Sequence, residues 1–214
     1  MHQGDSDKQK GVYYINTVDE VTQWQAIAAV EKISETYLLE ALLGLLNQFP
    51  FEIIEFHSDN GSEYINRQVA ELLNRLLIKL TKSRARHCND NALVESKNGA
   101  VIRKWMGYAH IPQKHAQDIN KFFKKYFNLY LNYYRPSIFP EIVFSAKRKE
   151  VKKYRYENTM TPFAKLKSIF EYKKFLKKNT SVVDLELFLS NDSPNEFAEK
   201  VVKAQDCLFN GIST

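Results

Sequence analysis

The regular pattern of the chain opens with two apolar runs. Val12-Tyr13-Tyr14-Ile15-Asn16-Thr17-Val18 and the stretch from Thr22 to Val30 are rich in β-branched and aromatic residues. The short polar break between them predicts a β-hairpin. Leucines then recur at helical spacing: Leu38, Leu39, Leu42, Leu45 and Leu46 predict a helix capped by Ser34 that ends before Pro50. Glu52-Ile53-Ile54-Glu55-Phe56-His57 reads as a strand halted at Asn60-Gly61, a pair that favours left-handed turn geometry. A second helix near residues 66–77 and a strand at Ile78-Lys79-Leu80-Thr81 follow. Leu93, Val94, Val101, Ile102 and Trp105 form a helical stripe that Asp90 or Asn91 can cap. Strands and helices in this order predict a mixed α/β layer fold with its site at the strand ends.

Residues 113–134 predict a long helix whose Phe122, Phe123, Tyr126, Phe127, Tyr130 and Tyr134 belong to the core rather than to a base-stacking platform. The composition changes after Pro136. Lys147-Arg148-Lys149-Glu150-Val151-Lys152-Lys153 reads as a basic linker over 136–160. Thr161-Pro162 and Ser193-Pro194 mark helix starts in a small helical module over 161–214, and Phe197, Val201, Ala204 and Leu208 share one face of the last helix. The domain reading is therefore a core over 1–135, the linker, and that module.

With 214 residues the chain can bury a sizeable core. The formal charge is +6, and its distribution is more telling than its total. Residues 1–60 hold 3 Lys or Arg against 10 Asp or Glu, whereas 61–135 hold 14 against 5. A basic surface in that second segment suits a polyanion, because phosphate contacts release counterions and dominate affinity. Cys88 and Cys207 form no C-x-x-C pair and point to reduced thiols in a cytoplasm. No apolar run reaches the roughly 18 residues of a membrane span, and the amino terminus is not signal-like.

Two acidic residues stand in settings suited to chemistry. Asp59, within Phe56-His57-Ser58-Asp59-Asn60-Gly61-Ser62-Glu63-Tyr64, falls at the carboxyl end of a predicted strand. Glu95, within Asn91-Ala92-Leu93-Val94-Glu95-Ser96-Lys97-Asn98, falls in the first turns of a predicted helix, with 35 residues between the two acids. A strand-end Asp facing a helical Glu can hold hard divalent cations, since Mg²⁺ takes oxygen ligands and usually only one or two carboxylates. Two such ions about 4 Å apart activate the attacking oxygen and stabilise the leaving oxygen of a phosphodiester. Taken singly, Asp59 could instead open an Asx-type turn and Glu95 could be a solvated helical carboxylate. His57 fits a structural role beside the site.

These blocks resemble the DDE transposase and retroviral integrase catalytic core family, in particular bacterial insertion-sequence transposases. Val18-Asp19-Glu20-Val21-Thr22-Gln23-Trp24 is similar to the end of the family's second strand. Leu131-Asn132-Tyr133-Tyr134-Arg135-Pro136 resembles its Tyr-Asn-x-x-Arg-Pro-His element, with Ser137 where His is common, and Thr161-Pro162 resembles the pair that follows. The resemblance spans roughly residues 11 to 165.

The resemblance implies a ribonuclease-H-like mixed sheet with flanking helices and a two-ion site for Mg²⁺, or Mn²⁺, held by Asp59, Glu95 and a first Asp on a strand ahead of Val12. That strand and its Asp do not occur in this chain, which implies a gap in the sheet, an internal start at Met1 and a catalytically incomplete transposase. Asp19 matches a non-ligand acid of the motif, and Asp5 and Asp7 lie in a polar turn. The implied partner is DNA, as transposon ends and target, contacted by Lys82, Arg84, Arg86, Lys97, Arg103 and Lys104. An intact parent is expected to be a homo-oligomer in a bacterial cytoplasm, associated with the nucleoid and not with a membrane. The other readings are a non-catalytic DNA-binding remnant and a ribonuclease-H-like nuclease of another kind.

Overall fold

The computed structural model describes residues 2–6, 8–58, 67–83, 92–144, 150–190 and 192–213. It is a mixed α/β structure of short sheets and several helices. Strands β1 (His2–Gln3), β2 (Tyr13–Val18) and β3 (Gln25–Val30) form one antiparallel sheet in that order. The expected hairpin pairs β2 with β3 from Tyr13 opposite Val30 to Val18 opposite Gln25. Helix α1 (Glu35–Leu46) follows; Ser34 is its N-cap residue with extended backbone, but its side chain makes no cap bond. Strand β4 (Glu55–Ser58), helix α2 (Arg67–Arg75) and strand β5 (Lys79–Lys82) form a second unit in which β4 and β5 pair in parallel. The two sheets are separate: among the described residues no strand joins β2 to β4. On the side of β2 away from β3, β1 pairs only with Tyr13 and Tyr14.

The core lies on both faces of β3, whose six residues are all buried. On one face Ile27 and Ala29 join Val12 and Tyr14 against Ile119, Phe122, Phe123 and Phe127 of the long helix. On the other, Ala26, Ala28 and Val30 meet Leu38 and Leu45 of α1, with Phe49, Tyr133 and Phe163. A third cluster packs Leu42 and Leu46 of α1 on Val69 and Leu73 of α2. The long helix begins with a 3₁₀ turn at Gln113–His115, continues as α5 (Ala116–Phe122) and widens into π turns at Phe123–Phe127 and Tyr130–Tyr134. Phe122, Phe123, Phe127 and Tyr134 are buried, as a core role requires.

This helix also covers the outer edge of β3, and asparagines do it. Asn120 Oδ1 accepts from Ala29 N at 2.7 Å while its Nδ2 donates to Ala29 O at 2.7 Å. Asn128 makes the same pair with Ile27 at 3.2 and 3.0 Å, and Asn132 with Gln25 at 2.8 and 2.7 Å. Residues 25, 27 and 29 present their backbone groups to one edge, and the three amides satisfy them as a neighbouring strand would. An edge that would otherwise template pairing with another chain is thereby closed.

Residues 136–160, expected as a linker, hold an antiparallel hairpin of β6 (Ser137–Phe144) and β7 (Glu150–Met160), with Glu141 and Arg155 paired at 3.2 Å. Its β-branched and aromatic residues (Ile138, Ile142, Val143, Val151, Tyr154, Tyr156) outweigh the lysines that suggested a linker. Helices α6 (Pro162–Ser168), α7 (Val182–Ser190) and α8 (Pro194–Ser213) follow, α6 and α8 starting where expected. Thr161 Oγ1 accepts from Ala164 N at 3.1 Å. A reciprocal capping box joins Ser193 and Glu196, with Glu196 N donating to Ser193 Oγ at 3.3 Å and Ser193 N to Glu196 Oε2 at 2.8 Å. Val201 of α8 is fully buried in the core, and the Phe197 ring stacks on Tyr134 at 4.4 Å. Replacing Ser193 by alanine should cost about 1 kcal/mol of stability, measurable as a shifted urea midpoint with unchanged slope.

Candidate active site

A cleft of about 1250 Å³ lies between β2 and β4. One wall is β4, and His57 and Ser58 at its carboxyl end line the cleft. His57 ties β4 to β5, with Nδ1 at 2.9 Å from Thr81 Oγ1 and Nε2 at 3.2 Å from Ser83 Oγ. Thr81 in turn donates to Glu55 at 2.6 Å, and this bond holds the Glu55 carboxyl below its ordinary range. His57 is structural here, as its sequence context suggested. The Asp59 backbone follows directly on Ser58, but Asp59 itself lies outside the described residues, as do Arg84, Arg86, Asp90 and Asn91.

The facing wall is the predicted Glu95 helix: α3 (Ala92–Lys97), a π turn over Asn98–Arg103, and α4 (Lys104–Met106). Val101, Ile102 and Met106 bury its inner face in the core. Glu95 lies in the first turn, exposed, on the cleft wall. Two polar ties fix the helix. Asn16 on β2 donates to Asn98 Oδ1 at 2.8 Å and accepts from Gln25 Nε2 at 2.8 Å. Through Gln25 and Asn132 that chain reaches the long helix. The second tie is Lys97, whose Nζ donates to Ser137 Oγ at 2.9 Å.

The burial of Lys97 is unexpected. The residue lines the cleft yet is only 8% exposed, and burial, aided by the nearby charge of Arg135, pulls its ammonium down to about 8. Burial also lowers Arg135, which lines the same cleft at the end of the long helix. Among the described residues neither cation has a carboxylate within ion-pair distance.

Of the residues singled out from sequence, the cleft brings together Glu95 and Lys97. Lys82, Arg103 and Lys104 are exposed and do not line it. Arg135 and Ser137 do line it, and they sit in the Asn-Tyr-Tyr-Arg-Pro-Ser run that sequence reading noted without giving either a role. Asp19 also borders the cleft, but one of its carboxylate oxygens accepts from Thr22 N and Thr22 Oγ1, both at 2.7 Å, in the turn of the hairpin. Asp5 is paired with Lys10 at 2.6 Å and also accepts from Gly11 N. The Lys10 bond holds the Asp5 carboxyl below its ordinary range. Glu95, by contrast, is exposed on the cleft wall and has no ion-pair partner among the described residues. Among the described residues no three His, Cys, Asp or Glu are grouped closely enough to hold a metal ion, and no helix is long and apolar enough to cross a membrane.

No protein-family model matches the chain. It is similar to a curated relative. That relative is the uncharacterized protein y4rM of Sinorhizobium fredii (strain NBRC 101917 / NGR234), 29% identical over 136 residues, or 64% of this chain. The chain spans only 39% of the relative's length. Among solved structures, one similar chain belongs to a simian T-cell lymphotropic virus intasome in complex with the PP2A regulatory subunit B56 gamma. It has 14% identity and a TM-score of 0.46, over 67% of this chain and 48% of that one. Another is the catalytic core domain of BIV integrase, with 16% identity and a TM-score of 0.35, over 58% of this chain and 84% of that one.

Proposed function

We propose that this chain is part of a transposase or integrase-type DNA strand transferase, and that Asp59 and Glu95 are its metal-binding carboxylates. One observation carries the reading. The strand end that leads directly into Asp59 and the helical turn bearing Glu95 open onto one cleft, and two cations lie in the same cleft. Carboxylates there supply the hard oxygen donors that Mg²⁺ or Mn²⁺ prefers, and substrate phosphate completes such a shell. When bound, the ions would polarise the phosphodiester and activate the attacking oxygen, first of water and then of a DNA 3′-hydroxyl. The protein's own part is to hold Glu95 on a core-anchored helix opposite the strand end that leads into Asp59, and to neutralise DNA phosphates with Lys97 and Arg135. Lys82, Arg103 and Lys104, exposed outside the cleft, are further candidates for phosphate contact, and Arg84 and Arg86 are candidates by sequence alone. Lys152 and Tyr154 of the β6–β7 hairpin border the cleft as well and lengthen the wall.

Among the described residues Asp5 and Asp19 are engaged in turn contacts, and Asp7 lies outside the described residues, so two carboxylates, Asp59 and Glu95, are assigned where three would close a two-ion site. The chain therefore binds DNA and gives little or no strand transfer. The test offers the purified chain a pre-cut DNA end with a free 3′-hydroxyl and a target plasmid, in Mg²⁺ or Mn²⁺. Binding that weakens steeply with salt, without joined product, is the expected result. Divalent-dependent joining would overturn the incomplete-site reading. Cleavage without joining would favour the ribonuclease-H-like nuclease.

A further inference from the structure

Lys97 is an ammonium with more than nine-tenths of its surface buried at the wall of a cleft, beside a second cation, with no carboxylate within ion-pair distance among the described residues. Burying a charge without a counter-charge is costly, and folded proteins seldom do so without a partner. Its one described hydrogen bond is to Ser137 Oγ at 2.9 Å. A lysine has only donors, so Ser137 accepts here and its own proton remains to be donated. Lys97 keeps two further N–H groups, and Arg135 adds a guanidinium fork. Three side chains from two separate parts of the chain thus offer donors to the same space.

We infer that Lys97, Arg135 and Ser137 form a cradle for a single tetrahedral oxyanion, a phosphate group. A set made of donors, two of them charged, selects a ligand rich in acceptor oxygens and negative charge, and charge-assisted bonds of this kind are the strong ones. The cleft is larger than the roughly 300–1,000 Å³ that encloses a small ligand, so the phosphate can belong to a longer chain. Assigning that phosphate to DNA rests on the function proposed above; the cradle itself does not. Ser137 is the orienting member, fixed by Lys97 and pointing its remaining donor at the anion. Outer basic residues such as Lys82 and Lys104 lie elsewhere on the surface and contribute no cradle.

The test melts the purified chain in sodium phosphate and in sodium chloride at matched ionic strength, and separately measures duplex DNA binding over a range of salt. Phosphate is expected to raise the melting temperature of the parent chain, because it binds the folded state. Lys97→Met and Arg135→Met should each abolish that rise, Lys97→Arg should retain it, and Ser137→Ala should weaken it. Each of the two methionine variants should also lower the salt dependence of DNA binding by about one phosphate contact. Lys97→Met is relieved of a buried charge and is expected to fold, which keeps the test open if Arg135→Met does not. Phosphate protection lost in the variants with DNA binding unmoved supports the cradle, assigns it to a free anion and removes one support of the DNA reading. No protection by phosphate, or protection that survives both methionine substitutions, overturns the cradle even if DNA binding persists.

Discussion

Replacing Asn128 by alanine should lower the unfolding free energy by roughly 2–5 kcal/mol, among the largest losses available from one surface-distant substitution. The side chain satisfies Ile27 N and Ile27 O and donates also to Gln48 Oε1 at 2.7 Å. Alanine removes all three bonds, and no water can easily replace them, because Asn128 is 3% exposed and Ile27 is 1% exposed. The damage is the desolvation of a backbone N–H and C=O left alone on the edge of β3. Urea unfolding measures the loss, and a second consequence distinguishes this cause from lost packing. With the middle rung of the ladder gone, the β3 edge becomes available to another chain, so Asn128→Ala should also associate at concentrations where Phe122→Leu, a core change of different kind, stays monomeric.

Lys97→Met should act in the opposite direction, raising stability at pH 7 by up to about 3 kcal/mol. The ammonium is depressed from its ordinary value of 10.5 to about 8 in the folded chain, chiefly by burial and then by Arg135. Below about pH 8 both folded and unfolded chains carry the charge, and the full cost of burying it is present. Between pH 8 and about 10.5 the folded chain loses its proton first, so the unfolded state binds more protons and stability rises with pH. Above that window the cost has gone. The parent chain should therefore gain stability across this interval, whereas Lys97→Met should lack that gain; parallel pH profiles for the two chains would contradict the assignment.

Much of this arrangement was legible in the residues. The Tyr13–Val18 and Gln25–Val30 hairpin, the Leu-striped α1, the Glu95 helix and the Thr161-Pro162 and Ser193-Pro194 starts followed from local periodicity and caps, which need only neighbours in sequence. The β6–β7 hairpin was missed because clustered lysines at 147–153 masked the β-branched residues on either side. The asparagine ladder was equally hidden: Asn120 and Asn128 carry no local sign of their role, and Asn132 stood out only as part of the Leu131–Pro136 element, until β3 is placed against them. Lys97 was read as one of several DNA contacts, and nothing local shows that it is buried against Ser137 with Arg135 nearby. Asp59 and Glu95 were visible as motifs, while a gap in the sheet was expected only through the family resemblance, because which strands pair is a matter of long-range contacts.

Whether Asp59 and Glu95 share a divalent ion in the cleft can be read out by iron-directed self-cleavage. Fe²⁺ accepts the same kind of oxygen donors as Mg²⁺ and Mn²⁺, and with ascorbate and peroxide it cuts the backbone beside the place where it binds. A shared ion should give cuts clustered around residues 58–60 and 92–97, suppressed by excess Mn²⁺ and lost in both Asp59→Asn and Glu95→Gln. Cuts that fall elsewhere, or that persist in the two variants, would contradict it.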